Sequence, residues 1–186
     1  GIIDDVHRAY DIVPELQAAR LDMVFCDMLT YSPSSNFGII IKSLQVPIVL
    51  VAMQPDKALD YENASTYHQL YNDDICALPE FAGVAARMGK KIPEIIIGTL
   101  KDDPGVGAEL AAYIKIAGVL HDLKTARIGH IGHPIEAMLD MHTDATMITA
   151  YFGAHVIQCE DHDILAEYKR VNQGEIDEAK TKILQF

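Results

Sequence analysis

Histidine and carboxylate residues are concentrated in one stretch of the chain, residues 121–162. Six of the eight histidines lie there; His130 and His133 are spaced i, i+3, and His142 and Asp144 follow. Imidazole and carboxylate groups are common ligands of divalent metals, but the spacing is not the tight one of a zinc motif. We favour ordinary hydrogen bonding for these histidines, and keep a substrate-facing polar loop and a metal site as alternatives.

A second polar group, Asn72, Asp73 and Asp74, precedes a helical pattern. Its carboxylates could contact a sugar, or the group could be a solvated helix cap. Glu80 falls in the first helical turn, where the helix dipole favours a negative charge, and it is either structural or aimed into a cleft. Cys76 has no base beside it, which argues against a nucleophilic thiol. The sequence shows no Ser-His-Asp arrangement and no carboxylate pair that stands out as an acid/base couple.

Two glycine pairs resemble phosphate-binding turns, and both are incomplete. Gly129 and Gly132 lack the third glycine of a dinucleotide turn. Gly105 and Gly107 precede a helix but lack the Lys-Ser/Thr of a P-loop. Nucleotide binding is therefore not favoured.

The elements that must position these residues alternate between helix and strand. Residues 126–131 form an apolar run, Asp144 can cap a helix over Ala145–Phe152, Gly153 can end it, and a new apolar run begins at position 154. This order predicts a parallel βαβ unit. Ligands of open parallel sheets bind at the carboxyl ends of the strands, so the loop over residues 130–143 is the first place to look for function.

The rest of the chain follows the same alternation. Apolar residues at helical spacing predict helices, and short continuous apolar runs predict strands buried on both faces. Asn36 is the expected cap of the second helix. Helices are predicted over residues 4–20, 37–44, 64–70, 77–89, 104–120, 161–170 and 174–184, and strands over 21–26, 48–52 and 94–98. This pattern predicts an α/β fold: a Rossmann-like or flavodoxin-like three-layer α/β/α architecture with a parallel sheet, in two partial domains.

Composition limits the class of partner. The formal net charge of -12 argues against nucleic acid, because phosphate contact needs a basic face. The longest apolar run, residues 46–53, is too short to span a membrane, which takes about 20 residues. The three cysteines are far apart and odd in number, which fits reduced thiols in a cytoplasmic protein better than a disulfide framework. The start at residues 1–3, without Met, suggests a chain that begins inside a domain.

Several short motifs, in order along nearly the whole chain, resemble the L-arabinose isomerase family, which is related to the L-fucose isomerases. Residues 29–33 (Leu-Thr-Tyr-Ser-Pro) resemble its His-Thr-Phe-Ser-Pro loop, and residues 72–88 resemble its Asn-Gln-x-x-His … Glu-Phe-Gly … Ala-Arg-Met segment. The strand over residues 47–54, the loop over 132–144 and the Phe-Gly at 152–153 resemble the corresponding family segments.

The resemblance implies a metal-dependent sugar isomerase that interconverts an aldose and a ketose with a divalent metal, usually manganese (Mn2+). The family's metal ligands, two Glu and two His, lie downstream of the matched region, so no catalytic residue and no metal ligand is assigned to this chain. Residues 1–122 resemble the later part of the first isomerase domain, and residues 123–186 the opening half of the central domain. The isolated chain is expected to be a catalytically silent fragment.

The resemblance also implies a small sugar as substrate and a homo-oligomer; the exclusion of nucleic-acid and membrane partners comes from the charge and the short apolar runs given above. In the family, the first domain of one subunit lends substrate contacts to its neighbour. Asp73 stands where the family has Gln, and Cys76 where it has His, which puts arabinose itself in question. The implied substrate-binding residues are Thr30, Asn72, Asp73, Cys76, Glu80 and His133. The alternatives are a non-catalytic sugar-binding α/β module and a nucleotide-binding Rossmann domain.

Overall fold

The computed structural model describes residues 2–185. It is an α/β structure that divides into two compact units, residues 1–119 and residues 120–186; the expected boundary, after residue 122, lies a little further along the chain. The helices are α1 Val6–Ala18, α2 Ser34–Ser43, α3 Thr66–Tyr71, α4 Leu78–Arg87, α5 Pro104–Leu123, α6 Ala145–Phe152, α7 Asp161–Tyr168 and α8 Gln173–Leu184, and the strands are β1 Val24–Met28, β2 Ile48–Gln54, β3 Glu94–Thr99, β4 Arg127–Ile131 and β5 His155–Cys159.

The first unit is built on a parallel sheet in the order β1-β2-β3. Val24 is in register with Ile48, and Val51 is in register with Ile96. The central strand β2 is an uninterrupted apolar run, as a strand covered on both faces should be. All three strands run in the same direction, so their carboxyl ends meet at one edge of the sheet.

Alternate residues of β2 enter two separate cores, which gives the unit three layers. Leu50 and Ala52 pack in a core with residues of α2 and α4, where the rings of Phe37 and Phe81 stack at 4.4 Å between centroids. On the opposite face, Val49 and Val51 pack with Ile96 and with Val106 of α5. The unit is therefore a Rossmann-like α/β/α arrangement, as the sequence pattern predicts.

The second unit contains the βαβ motif predicted from the sequence. Strands β4 and β5 are parallel. The Asp144 carboxylate accepts hydrogen bonds from the backbone N–H groups of Thr146 (2.8 Å) and Met147 (3.3 Å), and Gly153 ends α6 with a φ of 80°. Among the described residues of this unit, only Ala154 is buried.

Two boundaries predicted for the first unit are wrong. Strand β1 ends at Met28 rather than at residue 26, so Asp27 lies in the strand, in register with Val51, and not in a loop. Helix α2 begins at Ser34, and Asn36 is a buried helical residue rather than its cap. Pro33 precedes the first residue of α2 and makes no side-chain capping bond.

Within residues 2–185, no helix combines the length and the apolarity that a membrane-spanning segment requires.

Candidate functional site

Three segments of the first unit bring polar side chains together beyond the carboxyl ends of the strands. The loop after β1 supplies Tyr31, a 3₁₀ turn over Asp73–Ala77 supplies Asp73 and Cys76, and the first turn of α4 supplies Glu80. The Tyr31 hydroxyl donates a hydrogen bond to the Glu80 carboxylate at 3.2 Å. We call Tyr31, Asp73, Cys76 and Glu80 the Tyr31–Glu80 cluster.

Local sequence explains why the Glu80 carboxylate stands at this point. Pro79 occupies the first turn of α4, where its missing N–H leaves no bond unmade, and Glu80 follows it at the positive end of the helix dipole. Gly89, with a φ of 67°, lies just beyond the other end of the helix. These features of α4 confirm the predicted start and stop signals.

The electrostatics of the Tyr31–Glu80 cluster favour binding through hydrogen bonds. The hydrogen bond to Glu80 and the negative charge of Glu80 raise the pKa of Tyr31. The negative charge of Asp73, followed by desolvation, raises the pKa of Cys76 above its ordinary value. The thiol is therefore protonated at neutral pH and is a poor nucleophile. The two carboxylates accept hydrogen bonds, and sugar hydroxyls are matching donors.

Asn72 has a structural role in the loop that follows β2. Its Oδ1 accepts the backbone N–H of Asp56 at 3.0 Å, and its Nδ2 donates to the Asp56 carboxylate at 3.0 Å and to the carbonyl of His68 at 3.0 Å. The side chain is buried. Its amide thus ties α3 to the end of the β2 loop, next to the 3₁₀ turn that carries Asp73.

Thr30 and Tyr31 both line an apolar cavity of about 490 Å³ that runs alongside β1. Asn36 lines the same cavity, is 3 % exposed, and makes no hydrogen bond through its side-chain amide. Phe25, on the edge strand of the sheet, forms another part of the wall. Thr30 is therefore next to the Tyr31–Glu80 cluster, because it directly precedes Tyr31 in the chain.

The predicted residue His133 belongs to the second unit, where its side chain is exposed. It follows Gly132, which has a φ of 75° and whose carbonyl accepts a hydrogen bond from the Gln158 side chain at 2.6 Å. Gly129 lies inside β4, and a loop rather than a helix follows Gly132. The structure thus brings together Thr30, Asp73, Cys76 and Glu80 in one unit, and leaves His133 in the other.

A second acidic group at the same edge of the first sheet joins Asp74, one of the carboxylates weighed as a sugar contact, with Asp27, which was not predicted as a site. Asp27 of β1 and Asp74 of the 3₁₀ turn both line a cavity of about 340 Å³. Burial, and then the negative charges of Asp27 and Asp73, raise the pKa of Asp74; partial burial raises the pKa of Asp27. The sequence indicates this acidic group only in part: Asp27 directly follows an apolar run, as a residue near a strand end does, but no local pattern predicts that Asp74 is buried.

A manganese ion, which the family resemblance implies, would need a cluster of donor side chains. Within residues 2–185, no group of three or more His, Cys, Asp or Glu side chains is arranged to hold a metal ion. A divalent ion such as Mn2+ prefers several oxygen or imidazole ligands at once. These residues therefore do not fit the metal of the isomerase family.

Comparisons with known proteins assign no family to this chain. A scan against protein-family models finds no match to this chain, and a search of curated proteins finds none either.

Proposed function

We propose that this chain carries a sugar-contacting surface of a metal-dependent aldose–ketose isomerase of the L-arabinose and L-fucose isomerase type. The observation that carries the proposal is the Tyr31–Glu80 hydrogen bond at 3.2 Å. The two partners come from the two segments that most resemble the family, residues 29–33 and residues 72–88, which are far apart in sequence. Their meeting beyond the carboxyl ends of parallel strands supports a shared ligand site.

The roles in this proposal follow from the chemistry of each side chain. Asp73 and Glu80 accept hydrogen bonds from sugar hydroxyls, the Tyr31 hydroxyl orients Glu80, and the neutral Cys76 thiol contacts the less polar face of the sugar. Asn72 acts through the loop that it anchors. Mn2+ has no fitting ligand set in the described residues, so the chain's own contribution is to bind and orient the substrate.

Three further features remain proposals. His133 is assigned a substrate contact on the motif over residues 132–144 alone. A homo-oligomer follows from the family, and size-exclusion chromatography with light scattering measures it directly; a cytoplasmic location is proposed from the three dispersed cysteines.

A non-catalytic sugar-binding α/β module is the second candidate. It is supported by the same acceptor groups, since the Asp73 and Glu80 carboxylates can accept hydrogen bonds from sugar hydroxyls without a metal. The two candidates share the Tyr31–Glu80 cluster and differ in turnover.

Calorimetric titration of the chain with a panel of aldopentoses and aldohexoses tests the shared claim. We expect at least one aldose to bind, and Asp73→Ala to weaken that binding about tenfold, since a hydrogen bond to a charged group contributes about 1.5–3 kcal/mol. Glu109→Gln is the matched control, because Glu109 is an exposed residue of α5. Binding of no aldose, or equal binding by the Asp73→Ala variant, would reject the proposal.

An assay of ketose formation with added Mn2+ then separates the two candidates, when it is run on an assembled protein that joins this chain to the downstream metal-ligand segment of the family, because the isolated chain is expected to be silent under both. Turnover favours the isomerase, and saturable binding without turnover in the assembled protein favours the binding module.

A further inference from the structure

The cavity between the strand ends and α3 contains a buried carboxylate that the protein leaves unpaired. Asp74 is 5 % exposed and lines this cavity of about 340 Å³. Within the described chain, no hydrogen bond or ion pair engages its side chain. Its oxygen atoms still reach solvent through the cavity, so the carboxylate is partly desolvated and open to a charged partner.

A second carboxylate faces the same space from the sheet. Asp27 belongs to β1 and lines the cavity close to the point where the strand ends. Its negative charge is one of the causes that raise the pKa of Asp74. The two groups come from different elements, β1 and the 3₁₀ turn, so their approach is a product of the tertiary fold.

The remaining walls of the cavity are mainly apolar. They include Met53 near the end of β2, Leu100 just after β3, and Leu70 of α3. A volume of about 340 Å³ lies within the range of roughly 300–1,000 Å³ found for small-molecule pockets. The site therefore combines a negative end with an apolar body.

These features distinguish between classes of occupant. A hard divalent cation such as Ca2+ takes six to eight oxygen ligands, whereas the cavity offers two carboxylates and the Tyr71 side chain among thioether and aliphatic groups. A neutral polyol would leave both negative charges without a counter-charge and would place its hydroxyls against apolar walls. A primary ammonium group supplies three N–H donors and a positive charge, and a short hydrocarbon chain attached to it matches the walls.

We infer that this cavity binds a primary organic ammonium ion, with the charged nitrogen between Asp27 and Asp74 and the hydrocarbon chain against Met53, Leu70 and Leu100. The inference stands without the sugar proposal, because it concerns different side chains and a different class of ligand.

Amide-resolved NMR titration of the chain with n-butylammonium chloride tests the inference, at an ionic strength held constant with NaCl. We expect saturable shifts of amides at the ends of β1, β2 and β3. n-Butanol, which has the same hydrocarbon chain without the charge, should bind at least about tenfold more weakly, since it lacks a charge-assisted hydrogen bond.

Two substitutions test whether Asp74 and Asp27 are the residues that bind the ammonium group. Asp74→Asn keeps the side-chain shape, removes a buried charge and should remain folded; it should weaken n-butylammonium binding by about tenfold or more. Asp27→Asn, at a more exposed position, should weaken binding in the same direction. Asp11→Asn is the control, because Asp11 is an exposed residue of α1, and its affinity should equal that of the wild type.

Four results would overturn the inference. These are no saturable shift at the strand ends, equal affinity for n-butanol, unchanged affinity in both Asp74→Asn and Asp27→Asn, and displacement of n-butylammonium by Ca2+ at lower concentration. The last result would identify a metal site instead.

Discussion

Replacement of Asn72 by Ala should destabilise the first unit strongly, because the side-chain amide makes hydrogen bonds to two residues that lie close to it in space. The side chain takes part in three hydrogen bonds of 3.0 Å, two with Asp56 and one with the carbonyl of His68. At about 1 kcal/mol for each bond, the expected loss in the free energy of unfolding is about 3 kcal/mol.

The assay is thermal unfolding followed by circular dichroism, together with urea denaturation. For a unit of this size, about 3 kcal/mol corresponds to a decrease in Tm of about 10 °C. Asn63→Ala is the matched control, because Asn63 is exposed and its amide donates only to the Asp60 side chain in a local turn. Its expected effect is about 0.5 kcal/mol or less.

The reasoning is refuted if Asn72→Ala unfolds at the same temperature and urea concentration as Asn63→Ala. A variant of unchanged stability that had lost sugar binding would instead make the Asn72 amide a direct ligand contact.

Four other substitutions test the fold and the acidic cavity. Gly98→Ala should destabilise the first unit by about 1–3 kcal/mol, because the new Cβ would fall on the Val106 side chain. Gly83→Ala in α4 is its control: a Cβ there meets nothing within 4 Å, so the change should be neutral or stabilise by up to about 1 kcal/mol. Urea denaturation compares the two variants. Asp144→Ala should destabilise α6 by about 1 kcal/mol through loss of the helix cap, measured by amide hydrogen exchange in that helix. Burial and neighbouring carboxylates raise the pKa of Asp74, so its contribution to stability is present in acid, below the ordinary carboxyl pKa, and is lost as the pH rises through the raised pKa. Asp74→Asn should therefore be more stable than the wild type at neutral pH, and a difference that did not diminish in acid would contradict this assignment.

The sequence was sufficient for the fold because local signals agree with tertiary structure. The alternation of apolar runs and helical periods predicts parallel strands joined by helices, and Asp144, Gly153 and Pro79 act at helix ends as their residue types suggest. These signals are local, since they depend on a few adjacent backbone groups.

The errors occur where long-range packing overrides residue type. Asp27 interrupts the apolar run and suggests the end of a strand, but its backbone stays paired with Val51 of β2 and the ladder continues to Met28. Asn36 is a favoured cap by type, yet α2 begins at Ser34 and turns Asn36 into the core.

The candidate site was only partly predictable for the same reason. Asp73, Cys76 and Glu80 were identified on motifs and helix position, and the structure brings them beside Tyr31. The pairing of Asp27 with Asp74 depends on the fold between β1 and the 3₁₀ turn, and no spacing rule along the chain encodes it.

The most direct test of the proposed sugar site is the alkylation rate of Cys76, followed residue by residue by mass spectrometry with and without the aldose that binds. Cys76 is exposed, within the Tyr31–Glu80 cluster, and Cys159 of the second unit provides an internal reference. The proposal predicts that the aldose slows alkylation of Cys76 with a concentration dependence equal to its binding curve and leaves the rate at Cys159 unchanged. An unchanged Cys76 rate at saturating aldose would contradict a sugar site at this cluster.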